Sequence, residues 1–219
     1  MPHALRIKVC GVTNEADARL AALCGADAVG LNFYPGSPRC VDPTTAGFIL
    51  RELPPLVEAV GVFVNLPLRQ VFQQVQPLGR IHTIQWHGQD RELSDCFPYH
   101  LIAAFPVVDA DSLRAISRYL DTCRGLARLP SAVLLDAHQP GQHGGTGRTA
   151  PWDLLASFHP GIPVLLAGGL TPDNVAEAVR RVRPYGVDVA SGVEYSPGHK
   201  DPDKVRQFID NARAAAALL

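Results

Sequence analysis

Three polar residues fall where chemistry is commonly placed. Cys10 lies in IKVCGVT, where a short apolar run stops and a turn begins. Asp136 closes the apolar run of SAVLLDA, and Arg39 lies in a Pro/Gly-rich segment, FYPGSPRCV. A thiol and a carboxylate at one mouth are titratable groups of different type, which suits an acid/base pair. Such a pair serves isomerisation or elimination rather than redox chemistry. An arginine beside it can clamp a substrate carboxylate through two parallel N–H···O bonds. Each residue also has a plainer reading. A lone cysteine is most often a small buried hydrophobe, an aspartate can cap a turn or pair with a base, and a loop arginine is usually solvated. Lys8 precedes Cys10 by two residues, so it shares a strand face with the thiol and can favour a thiolate there.

Glycine-rich segments add a second chemistry. HGGTGRT contains Gly144 and Gly145, LAGGLTPDN contains Gly168 and Gly169, and DVASGVEYSPGHKD contains Ser191 and Gly192. Glycines let backbone N–H groups turn toward one point, and helix N-termini add partial positive charge. One such pair would make only a tight turn. Two in successive loops, with a third before them, favour a phosphate held by Gly168, Gly169, Ser191 and Gly192. No GxGxxG follows the first strand, and GGTGRT lacks P-loop spacing, so neither a dinucleotide nor a nucleoside triphosphate is indicated. His87 ends an apolar run in IQWHG, where a structural role is as common as a catalytic one. His138 and His143 match no metal-ligand spacing, and no metal is assigned. Arg148 either assists the anion site or faces water.

An alternating pattern has to position these groups. Strand-like apolar runs occur at 7–9, 28–33, 59–64, 81–86, 100–104, 132–136, 164–166 and 187–190. Capped helical stretches lie between them. Asn14 is an N-cap with Asp17 three residues on, and Gly25 can end that helix. Thr171 before Pro172, and Asp201 before Pro202, read as caps with proline at the first helical position. The weakest helix signals are at 91–97 and 152–158. Strands alternating with helices predict a parallel sheet. Eight such units in 219 residues predict a (β/α)8 barrel forming one domain over residues 1–219; an open doubly wound sheet is the competitor. Barrel chemistry belongs to the loops at the C-terminal ends of the strands. That places Cys10, Asp136, Arg39 and the glycine loops on one rim, and it strengthens the reactive reading of Cys10.

The net charge of −1 supplies no global field for nucleic acid or an acidic membrane. The N-terminal residues lack the apolar core of a secretory signal, and the longest apolar runs are too short to span a bilayer. A cytoplasmic protein is expected. Five cysteines, at 10, 24, 40, 96 and 123, form no CxxC pair and read as reduced thiols.

Taken together, the motifs resemble the phosphoribosylanthranilate isomerases of tryptophan biosynthesis. KVCGVTNEADA, GADAVGLNFYPGSPRCV, VGVFVN, IQWHG, LLDA, GGTGRT, LAGGLTPDNV and VDVASGVEYSPGHKD occur in that family's order along nearly the whole chain. The resemblance implies an Amadori rearrangement of N-(5-phosphoribosyl)anthranilate to 1-(2-carboxyphenylamino)-1-deoxyribulose 5-phosphate. It implies Cys10 as general base, Asp136 as general acid and Arg39 as the holder of the anthranilate carboxylate. The glycine loops, Gly144 and Gly145 included, match the phosphate site. No cofactor or metal is implied. The expected partner is a small phosphorylated substrate, and the expected assembly a monomer or homodimer. Two departures bear on the shape of the mouth and the start of the sixth helix: Trp86 replaces the leucine of QLHG, and Ala150, Pro151 and Trp152 stand where the family has FDW. Indole-glycerol-phosphate synthases would call for lysines and glutamates at strand ends, and only Lys8 qualifies. Ribulose-phosphate epimerases would call for paired metal-binding histidines and aspartates. A non-catalytic barrel binding a phosphorylated ligand would bind equally well after Cys10→Ala and turn nothing over.

Overall fold

The structure, a computed structural model, describes residues 4–88, 98–137 and 152–219. Within them the strands β1 (Arg6–Cys10), β2 (Ala28–Asn32), β3 (Glu58–Val64), β4 (Ile81–His87), β5 (His100–Pro106), β6 (Ala132–Asp136), β7 (Val164–Ala167) and β8 (Gly186–Val189) pair in chain order. All the pairings are parallel, and β8 returns to β1 with Ile7 opposite Val187 and Lys8 opposite Asp188. That last pairing closes the barrel and excludes the open sheet.

Two layers of apolar residues follow from strands buried on both faces. Outward-facing Ile7, Val29, Leu135 and Val187 pack under the helices with Ile49, Phe208 and Ile209. Inward-facing Val60, Ile102, Ala104, Leu134 and Leu165 fill the interior. The helices among the described residues are α1 (Glu15–Leu23), α2 (Pro43–Glu52), α3 (Leu68–Val75), α4 (Ala110–Gly125), α5 (Trp152–Ala156), α6 (Val175–Val182) and α7 (Pro202–Ala216). The helix expected near 91–97 lies outside the described residues, and the weakly signalled sixth is a single short turn, α5.

Local sequence explains most of the helix starts. The Asn14 side chain accepts from the Asp17 amide at 2.8 Å, and Asp201 accepts from the amides of Asp203 and Lys204. Thr171 is not the N-cap expected of it. The Asn174 side chain folds back, accepting from the Thr171 amide and donating to the Gly169 carbonyl, and the helix starts at Val175. An asparagine that can hydrogen-bond its own upstream backbone competes with the helix for those groups.

Trp86 does not crowd the mouth. It points outward into the helix layer, 4% exposed, with its indole N–H donating to the Leu66 carbonyl. Its strand neighbours Gln85 and His87 take the opposite face, as alternation requires. Ala150 and Pro151 lie outside the described residues; Trp152 begins α5 and is buried. An element that the apolar pattern did not signal follows β8: a small antiparallel hairpin of β9 (Glu194–Ser196) and β10 (His199–Lys200).

Candidate active site

Cys10 is the last residue of β1 and Asp136 the last of β6, so both stand at the C-terminal rim. In the closed sheet β7 and β8 lie between them. The loops after those two strands are the glycine-rich ones. Gly168 and Gly169 have φ of 92° and 65°, a left-handed backbone that favours glycine. Gly192 presses against the neighbouring loop: a Cβ added there would lie 1.9 Å from the Leu170 carbonyl oxygen. The two loops are therefore in backbone contact, and Ser191 opens a short 3-10 turn beside them. Gly168, Gly169, Ser191 and Gly192 thus stand between the thiol and the carboxylate on the rim. Gly144, Gly145, Arg148, His138 and His143 lie outside the described residues.

The thiol sits in a charged setting within an apolar barrel. Cys10 is 8% exposed. Lys8, one inward position below it, is 2% exposed and donates to Asp188 on β8 at 2.8 Å. Burial pushes the Cys10 thiol above its ordinary value; Lys8 opposes that rise and Asp188 adds to it. The lysine so favours the thiolate as its spacing suggested, but burial outweighs it. Burial also works against the charge on Lys8, yet the attraction of Asp188 and Cys10 raises its pKa.

Arg39 reaches the same corner. Gly11, with φ of 71°, leaves room for its stem: a Cβ there would lie 2.4 Å from Arg39 Cδ. Its Nε and Nη2 donate to Glu194 Oε1 and Oε2 at 2.8 and 2.6 Å. The carboxylate that Arg39 clamps in this structure is therefore the chain's own. Glu194 also accepts from Lys200 Nζ at 2.8 Å, and Lys200 Nζ donates to the carbonyls of Cys10 at 2.6 Å and Ala190 at 3.2 Å. Burial alone would raise the Glu194 pKa, but the bonds from Arg39 and Lys200 hold it below the usual glutamate value. Lys200 has one carboxylate and a neighbouring arginine, so burial wins there and its pKa falls. The β9–β10 hairpin thereby ties the ends of β1 and β8 to the segment after β2.

Sequence reading missed Asp188, Glu194 and Lys200. Asp188 did leave a signal, since Lys8 in RIKVC and Asp188 in GVDVA are charges flanked by apolar strand residues. His87 shares an inward face with Gln85, whose Nε2 lies 2.9 Å from His87 Nε2. Among the described residues no group of histidine, cysteine and acidic side chains could hold a metal ion.

Comparison with known proteins gives this rim a context. Residues 7–211 match the family model of N-(5'phosphoribosyl)anthranilate (PRA) isomerase. The N-(5'-phosphoribosyl)anthranilate isomerase of Geobacter metallireducens is 45% identical over 211 residues, covering 96% of this chain and 100% of that protein. The crystal structure of phosphoribosyl anthranilate isomerase from Thermotoga maritima superposes with a TM-score of 0.83 at 36% identity, covering 96% and 99% of the two chains. A structure of the isomerase in complex with reduced 1-(o-carboxyphenylamino)-1-deoxyribulose 5-phosphate gives a TM-score of 0.81 at 34% identity, with 96% and 99% covered. A closed parallel barrel with this thiol, carboxylate and pair of glycine loops on one rim, matched along nearly its whole length, belongs to the N-(5'-phosphoribosyl)anthranilate isomerase family.

Proposed function

We propose that this chain converts N-(5-phosphoribosyl)anthranilate to 1-(2-carboxyphenylamino)-1-deoxyribulose 5-phosphate, with Asp136 as general acid and Cys10 as general base. The observation that carries the reading is the rim order: carboxylate, two glycine loops, thiol, arginine. A phosphate seated on Gly168, Gly169, Ser191 and Gly192 would anchor one end of the substrate. Arg39 would hold the anthranilate carboxylate at the other end, through donors not spent on Glu194. Two anchors fix the reacting carbons between acid and base, and this positioning is a large part of the rate enhancement.

The steps balance without an added reagent. Asp136 gives a proton to the furanose ring oxygen. The C1–O bond breaks as the anilino nitrogen forms a C=N bond to C1. Cys10 as thiolate takes the proton from C2, and that electron pair forms the enolamine, discharging the iminium. Tautomerisation of the enolamine gives the ketone. A thiolate is a usable base here because its ordinary pKa lies nearer neutrality than that of a lysine.

Loss of anthranilate fluorescence from freshly prepared substrate, with product confirmed by mass, tests the reaction. Wild type should turn over, and Asp136→Asn should be slower by about 10²–10⁴-fold, the usual worth of a general acid. A wild type that binds a phosphorylated ligand without turning it over would leave a binding protein in place of an enzyme.

A further inference from the structure

An ion pair inside a barrel is a poor way to fill space. Replacing a buried pair by apolar residues is often neutral or stabilising, and much of this interior is apolar, with Val60, Ile102, Ala104, Leu134 and Leu165. Lys8 and Asp188 nevertheless occupy it, both buried and hydrogen-bonded across the seam where β8 meets β1. Their position explains why. A Cβ placed on Gly30 would lie 2.7 Å from Cys10 Sγ and 3.1 Å from Lys8 Nζ. Sulfur and ammonium thus border the same space above Gly30, which a side chain at that position would fill. We propose that Lys8, held by Asp188, is a positioning residue that provides the cation on which the Cys10 thiolate rests.

The inference builds on the assignment of Cys10 as base. Among the described residues, the charged groups that bear on the thiol each have a place in it. Lys8 comes from the same strand and Asp188 from β8. Lys200 of the β9–β10 hairpin reaches the Cys10 carbonyl, and Arg39 comes from the segment after β2. Lys200 and Arg39 are both engaged by Glu194, and β2 offers only Gly30. Lys8 is paired too, with Asp188, but of the lysines it acts more strongly on the thiol, and it alone borders the space above Gly30 with the sulfur, so it is the cation directed at sulfur. Asp188 weakens its pull but keeps the lysine charged in an apolar interior. The directions agree: burial and Asp188 raise the Cys10 pKa, while Lys8, and after it Lys200, lowers it.

The test removes both charges at once, so that neither is left buried alone. In Lys8→Met/Asp188→Asn, the Cys10 thiolate is titrated by absorbance at 240 nm, as a difference from the same protein carrying Cys10→Ser. The thiolate fraction at a fixed pH below the titration should fall about tenfold or more, one pK unit being tenfold. The rising limb of kcat/KM should move to higher pH by the same amount. Lys8→Gln, which keeps a donor for Asp188 without the charge, carries the same expectation if the double variant does not fold. An unchanged thiolate titration overturns the role of Lys8. Full turnover by Cys10→Ser overturns the base assignment instead, whatever the titration shows, so the two failures are distinguishable.

Discussion

At the scale of the residue, Cys10 and Asp136 were legible because each ends an apolar run, and a polar group at a strand end is conspicuous. Their partners were not. Asp188 is 180 residues from Lys8 in the chain, and only the register of β8 against β1 brings them together. The raised pKa of Cys10 fixes a pH dependence. A thiol held above its ordinary value is mostly protonated at neutral pH, so the thiolate proposed as the base grows as pH rises. A pH profile of kcat/KM should therefore climb through the neutral range into the alkaline one, and Cys10→Ser should remove the climb. Arg39→Lys keeps a charge but loses the planar fork that Glu194 grips. Steady-state kinetics should show KM raised on the order of tenfold to a hundredfold with a smaller change in kcat, the worth of a charge-assisted contact.

At the scale of the element, alternation of strands and caps was enough to place all eight barrel strands, because buried parallel strands are short, apolar runs separated by helical stretches. Asn14 and Asp201 cap as their spacing suggested. The start of α6 was misread because Pro172 looks like a first helical residue, while the Asn174 side chain captures the Thr171 amide. The β9–β10 hairpin escaped notice because its buried residues, Glu194 and Lys200, are charged. Burial there is secured by pairing rather than by apolar character, and pairing leaves no periodicity to read. Gly192 sets the contact between the loops after β7 and β8. Gly192→Ala drives a methyl into the Leu170 carbonyl, so one loop must shift. Calorimetry should show weaker binding of inorganic phosphate, and thermal unfolding should report a loss of about 1–3 kcal/mol.

At the scale of the whole molecule, closure lets residues from both ends of the chain share one rim. No helix among the described residues is long and apolar enough to cross a membrane. The barrel interior contributes stability as an ordinary core does: Leu134 is 1% exposed, and Leu134→Ala should cost about 2–5 kcal/mol in denaturant unfolding. The Arg39–Glu194–Lys200 cluster adds a pH-dependent part. The folded Glu194 pKa lies below its ordinary value of 4.5, so the stability it contributes is fully present above that pH and is lost as pH falls through the lower folded value. Acid unfolding of Glu194→Gln should accordingly show a shallower dependence on pH below about 4.5 than wild type does.

The measurement that bears most directly on the account is the decay of anthranilate fluorescence for Cys10→Ser beside wild type, with matched circular dichroism spectra to show that both are folded. The account predicts rapid loss of signal with wild type and a rate about 10²-fold lower or less with the serine, whose hydroxyl is a far weaker proton acceptor than a thiolate. Equal rates would contradict it, returning Cys10 to the status of a small buried residue at the end of a strand.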